Sequence, residues 1–214
     1  GGTVLSKNVD YIIIYDDVCN HTPTGALVRI VGIGSYSGEK VLSFQITQIP
    51  LDDAEITVAN TEFTYDGNAH SPTVKIVWNG GEIDVLNNFQ LRYSTKNDVN
   101  GSVSDVPTNA GNYYVFIVPY SAGNFSGTKS FSFVINKVKV DVPTLKAGKS
   151  FSHTFTGAEV KIDETWFDNF DSDLMQLVVG DDYTYSATNA GTYKIRIELK
   201  DKINYEWKNS WWHL

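Results

Sequence analysis

Two clusters in this chain hold residue types that could do chemistry. Asp168, Asp171 and Asp173 crowd into Trp166-Phe167-Asp168-Asn169-Phe170-Asp171-Ser172-Asp173, and clustered carboxylates on a loop are the ligands a hard cation such as Ca²⁺ takes. The stretch has no glycine-punctuated Asp-x-Asp-x-Asp-Gly loop closed by Glu, so a solvated acidic loop is the competing reading. Asp16-Asp17 and Asp181-Asp182 read as strand-edge turns. The second cluster is aromatic: Tyr205, Trp207, Trp211 and Trp212 could stack on sugar rings. Burial with one polar handle is the commoner fate of Trp, and adjacent Trp211 and Trp212 point opposite ways in an extended segment. Catalytic constellations are missing. His21, His70, His153 and His213 are scattered, and there is neither a Gly-x-Ser-x-Gly elbow nor a His-Glu-x-x-His pair. Cys19-Asn20-His21 has no visible third group to orient a nucleophilic pair. The expectation is a protein that is not an enzyme and has no cofactor, with Ca²⁺ left open.

The elements that would position these residues are repeated. Asn109-Ala110-Gly111-Asn112-Tyr113 recurs eighty residues later as Asn189-Ala190-Gly191-Thr192-Tyr193. Gly111 to Phe125 and Gly191 to Tyr205 are both fourteen residues apart. An upstream word recurs as well: Phe63-Thr64-Tyr65-Asp66-Gly67 in one copy and His153-Thr154-Phe155-Thr156-Gly157 in the next, each leading into Val/Lys/Ile alternation. A weaker copy lies near the start, where Thr24 to Ile30 leads into Gly34-Ser35-Tyr36-Ser37-Gly38 and Leu42 to Ile46. Tandem copies point to a stack of modules. Asn-Ala-Gly reads as a turn in which Gly takes positive φ, and the Tyr two residues on begins a strand with its ring available to the core.

β-branched and aromatic residues punctuated by Gly, Asn, Asp and Ser make Tyr11 to Tyr15, Tyr113 to Val118, Phe131 to Ile135 and Thr192 to Leu199 strands. Only stretches such as Asp168 to Val179 could follow a helical pattern. The fold class is therefore all-β. A net charge of -8 with no run among seventeen basic residues argues against nucleic acid, whose phosphates need clustered Lys and Arg. No stretch approaches the roughly 20 apolar residues needed to cross a bilayer as a helix. With Cys19 the single cysteine, no internal disulfide forms, and packing alone must hold the modules.

Taken in order, Tyr65-Asp66-Gly67, Pro72-Thr73-Val74, Asn109-Ala110-Gly111-Asn112-Tyr113, Asn124-Phe125-Ser126-Gly127 and Phe131-Ser132-Phe133-Val134-Ile135 resemble the immunoglobulin-like repeats of bacterial surface proteins, the YDG or MBG type. The first copy is similar to a sister variety of these repeats and the third to a further variant. The resemblance covers nearly the whole chain. It implies tandem immunoglobulin-like β-sandwich modules in secreted or wall-attached proteins, commonly spacers or parts of adhesins, with no catalytic residues.

The expected organisation is a partial repeat at 1–48, a complete repeat at 49–138 and a repeat at 139–214 whose last strand is absent or short. The motif residues Tyr65, Asp66, Gly67, Asn109, Gly111, Tyr113, Asn189, Gly191 and Tyr193 are expected to be structural. The function expected is an extracellular or cell-surface stalk, spacer or adhesin segment, its partners being the neighbouring repeats and its signal and anchor segments lying outside this stretch. Two rivals stand beside it. One is a module binding a host glycan or protein, with the connection from Tyr93 to Asn109 as its loop. The other is a filament subunit that self-assembles by strand complementation at an incomplete module.

Overall fold

The computed structural model describes residues 2–15 and 25–209. Asp16, Asp17, Cys19, His21, Trp211 and Trp212 lie outside the described residues. The chain is all-β: among the described residues its regular structure is strands, joined by 3₁₀ turns and one short α-helix. Two compact units divide it, one formed by 1–61, 71–106 and 113–133 and the other by 62–70, 107–112 and 134–214.

The first unit begins with an antiparallel sheet in the order β1 (Tyr11–Tyr15), β2 (Ala26–Gly32), β3 (Glu39–Phe44). The two-residue strand β4 (Ile49–Pro50) follows and later receives a parallel partner. A second sheet, described in this unit, pairs β5 (Glu55–Ala59) with β7 (Thr73–Trp78) and β7 with β8 (Gly81–Ile83); β6 (Glu62–Thr64) belongs to the other unit. The one-turn helix α1 (Val85–Asn88) starts at Asp84, whose carboxylate accepts from the Asn87 N–H at 3.2 Å, as an N-cap residue does. It leads into β9 (Phe89–Ser94), which runs antiparallel to β10 (Gly111–Pro119) with Ile117 opposite Leu91. Next come β11 (Phe125–Ser126), the parallel partner of β4, and β12 (Lys129–Asn136), which lies beside β10.

Period-two alternation decides what this unit buries. Ile76 of β7, Phe89 of β9, Ile117 of β10, Leu51 and Phe125 form one cluster with every member at most 4 % exposed. The rings of Phe89 and Phe125 sit 5.0 Å apart. Tyr113, expected to turn its ring to the core, stacks on Phe133 at 5.6 Å, and burial pushes its phenol above the usual range.

In the second unit β6 runs parallel to the end of β12, with Ile135 beside Phe63. Next β13 (Val138–Val140) runs parallel to β20 (Tyr205–Trp207). Between them lie three antiparallel pairs: β14 (Thr144–Leu145) with β16 (Phe167–Asp168), β15 (Val160–Lys161) with β18 (Ser186–Ala187), and β17 (Met175–Val178) with β19 (Arg196–Leu199). Ile162, Phe167, Met175 and Leu199 are buried. The segment from Asp168 to Val179 is strand and turn, with no helix in it.

Three local expectations are corrected here. The strand foreseen from Thr192 covers only Arg196–Leu199. In the Asn-Ala-Gly turns, neither Gly111 nor Gly191 takes positive φ; in the upstream words that conformation belongs to Gly67 at +82° and Gly157 at +77°. Gly111 instead opens β10 in extended backbone. Tyr193 is 46 % exposed and its hydroxyl donates back to the Asn189 carbonyl at 2.9 Å. A Cβ at Gly191 would lie 3.2 Å from that ring, so close approach, not φ, is what glycine permits there.

Candidate functional site at the repeat junction

Within the second unit, motif residues of the middle copy meet the end of the third. Asp66 shapes the first side of the meeting. Its Oδ1 accepts from the Asn68 N–H at 2.9 Å and faces His70 Nε2 at 2.8 Å, an Asx-type turn that Gly67 completes in left-handed backbone. The Asn68 backbone N–H, then the Asn68 side chain and His70, hold the Asp66 carboxyl below its usual range. Phe63 stacks on His70 at 4.7 Å. The His70 N–H donates to Pro107 O at 3.0 Å, and the Tyr65 N–H to Asn136 O at 2.9 Å. These bonds bring the turn beside the Asn109-Ala110 segment.

Asp201 builds the other side. Its Oδ1 accepts from the N–H groups of Ile203 and Asn204 at 2.9 and 3.1 Å, and its Oδ2 from Asn204 Nδ2 at 2.8 Å. The Asn204 side chain is the first cause, and its backbone N–H the second, of an Asp201 carboxyl held below the usual range.

Asn204 joins the two sides. It is 5 % exposed, one of the buried polar side chains of the described chain. Its Oδ1 accepts from the Ala110 N–H at 2.7 Å, while Nδ2 donates to Asn109 Oδ1 at 3.1 Å and to Asp201 Oδ2. One acceptor and both amide protons are thereby used, which sets the orientation of the amide. Its backbone carbonyl accepts from the Val138 N–H at 2.9 Å. Beside it Tyr205 meets the Tyr65 ring edge-on, with centroids 5.7 Å apart and planes at 78°, and Lys137 Nζ donates to Lys202 O at 2.6 Å. Paired carboxylates, a saturated amide and an edge-to-face ring pair are groups that fasten one segment to another.

The residues singled out for chemistry lie elsewhere or are committed. Asp168 is exposed on β16, and Asp171 Oδ1 accepts from the Asp173 N–H at 2.9 Å. Among the described residues no three His, Cys, Asp or Glu side chains form a group that could hold a metal, so Asp168, Asp171 and Asp173 are not gathered into one. Tyr205 packs on Tyr65, and Trp207 is half-buried on β20. The Tyr93-to-Asn109 connection is pinned: the Tyr93 and Val103 backbones exchange hydrogen bonds of 2.7 and 2.8 Å, and Arg92 Nε donates to the buried Ser102 hydroxyl at 2.9 Å. Sequence reasoning missed Asn204. Its signal was the recurrence of Asn before an aromatic residue, Asn124-Phe125 and Asn204-Tyr205. The structure makes that parallel physical: the Asn124 carbonyl accepts from the Ile49 N–H at 2.8 Å as the Asn204 carbonyl does from Val138.

Residues 54–139 match the family model of the MBG domain. Such domains occur in bacterial surface proteins and are repeat-type domains without catalytic function. The match begins just before β5 and ends within β13, so the Asp66 turn, Asn109 and Ala110 are residues of the MBG segment, whereas Asp201 and Asn204 lie beyond it. No curated protein and no solved structure matches the chain. No helix among the described residues is long and apolar enough to cross a membrane.

Proposed function

We propose that this chain is an extracellular segment of a bacterial surface protein, built of immunoglobulin-like β-sandwich modules and acting as a stalk or spacer that carries an adhesive part away from the cell. The observation that supports the reading is the saturated Asn204 amide, which ties Asn109 and Ala110 of the MBG segment to the chain beyond it. Repeat arrays derive stiffness from nearest-neighbour contacts, and a contact made of directional hydrogen bonds to backbone and carboxylate is lost abruptly when the segments bend apart. Parallel pairing of β13 with β20 closes the third copy at the same place, as β4 with β11 does earlier in the chain. The partners are then the neighbouring repeats.

Force spectroscopy on the whole chain held by its ends tests this. A spacer gives discrete unfolding peaks, one of which falls in force when Asn204 is replaced by Ala. Smooth extension without peaks, or saturable binding on a glycan array at micromolar protein, would remove the stalk reading in favour of a flexible linker or a binding module.

A further inference from the structure

The second unit contains the junction site twice. Asn204 and Tyr205 cover the first copy, which is built from Tyr65, the Asp66-Gly67 turn, Asn109 and Ala110. Ninety residues beyond Tyr65 and its turn stand Phe155 and Thr156-Gly157, and eighty beyond the Asn-Ala pair stand Asn189 and Ala190. The backbone repeats with them. Thr156 Oγ1 accepts from the Ala158 N–H at 3.4 Å, as Asp66 Oδ1 does from the Asn68 N–H. Gly157 lies at φ +77° where Gly67 lies at +82°. The two segments are also brought together alike: Val160 of β15 pairs with Ala187 of β18, at the positions where the His70 N–H donates to Pro107 O in the first copy.

What differs is the cover. Tyr65 and Ala110 are half-buried, whereas Asn189 and Ala190 are exposed and Phe155 is 64 % exposed. Among the described residues the Ala190 N–H has no acceptor. Tyr193 bonds only the Asn189 carbonyl. The counterparts of the two groups that Asn204 bonds in the first copy are the Asn189 side-chain oxygen and the Ala190 N–H, and that contact engages neither.

We infer that this second site binds the Asn-aromatic turn of a further repeat, of the Asn204-Tyr205 kind, with its amide bridging Asn189 and Ala190 and its ring against Phe155. A primary amide supplies the acceptor for the N–H and the donor for the Asn oxygen together, whereas a carboxylate only accepts. Phe155 offers the same six-membered aromatic ring as Tyr65 for an edge-to-face pair. Two hydrogen bonds and one ring pair hold a free dipeptide poorly against the translational freedom it loses. The turn is therefore carried on a tethered, folded repeat, as Asn204 is. Binding of this kind presupposes a repeat array, the reading proposed for the chain.

Residue-resolved amide exchange tests it on the full chain and on the same chain continued from Leu214 by a second copy of its residues 135–209, which keeps the eighty-residue spacing. The Ala190 N–H should exchange about 5- to 30-fold more slowly in the longer chain. Asn204→Ala in the appended copy should remove that gain and leave Ala110 protected, and Asn204→Ala in the original repeat should release Ala110 alone. Phe155→Ser should weaken the gain and Phe155→Tyr should keep it. If Ala110 responds to its Asn204 and Ala190 does not respond to the appended one, the second site is overturned while the junction stands. If Ala110 does not respond either, the junction reading fails and the second site falls with it. The second site is also overturned if the appended repeat stays unfolded, since the same residues fold against Asn109 and Ala110, or if the unextended chain already protects Ala190 as well as Ala110.

Discussion

Replacing Asn204 by Ala removes one acceptor and two donor contacts from a site 5 % exposed. The Ala110 N–H then loses its 2.7 Å partner, and a buried backbone donor left unsatisfied costs about 1–3 kcal/mol. Ala110 is only half-buried, so water recovers part of this and the lower half of the range applies. Loss of the Nδ2 bond to the Asp201 carboxylate adds little beyond this, since solvent screens that carboxylate. The Asn109 contact at 3.1 Å adds little, since Asn109 is exposed. The sum, about 1–2 kcal/mol, is a sizeable fraction of the 5–15 kcal/mol that holds a typical domain. Residue-resolved amide exchange on the whole chain reads it directly. Protection of the Ala110 N–H should fall about 5- to 30-fold, at tenfold per 1.4 kcal/mol, and the urea midpoint of the second unit should fall with it. Amides of Leu91 and Ile117 in the first unit serve as internal controls. Asn204→Asp should cost more than Asn204→Ala, because it sets a second carboxylate beside Asp201. If Asn204→Ala changes Ala110 protection less than about twofold, the amide is not holding the junction and the reasoning fails.

Other consequences are equally open to measurement. Asp66 and Asp201 have folded-state carboxyls below their ordinary values, so their contribution to the second unit is complete above the unfolded value near about 3.9 and is lost as the pH falls through the lower folded values. Denaturation midpoints should therefore drop in acid from about pH 5 downward, and Asp201→Asn should flatten that slope; an unchanged slope in the variant would count against the Asp201 assignment. A double-mutant cycle on Tyr65→Leu and Tyr205→Leu should return a coupling of about 0.5–1.5 kcal/mol, as for edge-to-face rings, and zero coupling would mean that the two rings merely lie near each other. Ile117→Ala in the fully buried cluster of the first unit should cost about 3–4 kcal/mol through lost transfer energy and the cavity left behind, read as a lower urea midpoint; a loss under about 1 kcal/mol would place that side chain outside the core.

The chemistry-bearing residues that stood out by type alone are a lesson in what local composition conceals. Three aspartates within six residues look like a ligand set, yet β16 ends at Asp168 and a turn bonding Asp171 to Asp173 follows, so neighbours in the chain do not converge on one point. Tyr205 looks like part of a sugar platform until its ring is found against Tyr65, 140 residues away in the sequence. Asn204 by type alone has no distinct role, because an Asn near a turn is ordinary, and only its burial and partners make it unusual.

What the sequence determined by itself is local. Alternation over Thr73–Trp78 and the β-branched and aromatic run of Gly111–Pro119, apolar on both faces, specify strands whose buried positions include Ile76 and Ile117, because side chains of a strand project alternately and apolar ones leave water. The Tyr65-Asp66-Gly67 turn is equally legible, since Asp can bond the N–H two residues on and Gly accepts left-handed backbone. Tertiary structure alone decided the parallel pairings of β4 with β11, β6 with β12 and β13 with β20, and with them the meeting of Asn204 with Asn109 and Ala110. Those partners lie about 70 to 95 positions apart. No local propensity encodes them, because each short parallel pair forms only once the packed sheets around it have met the loop-closure entropy.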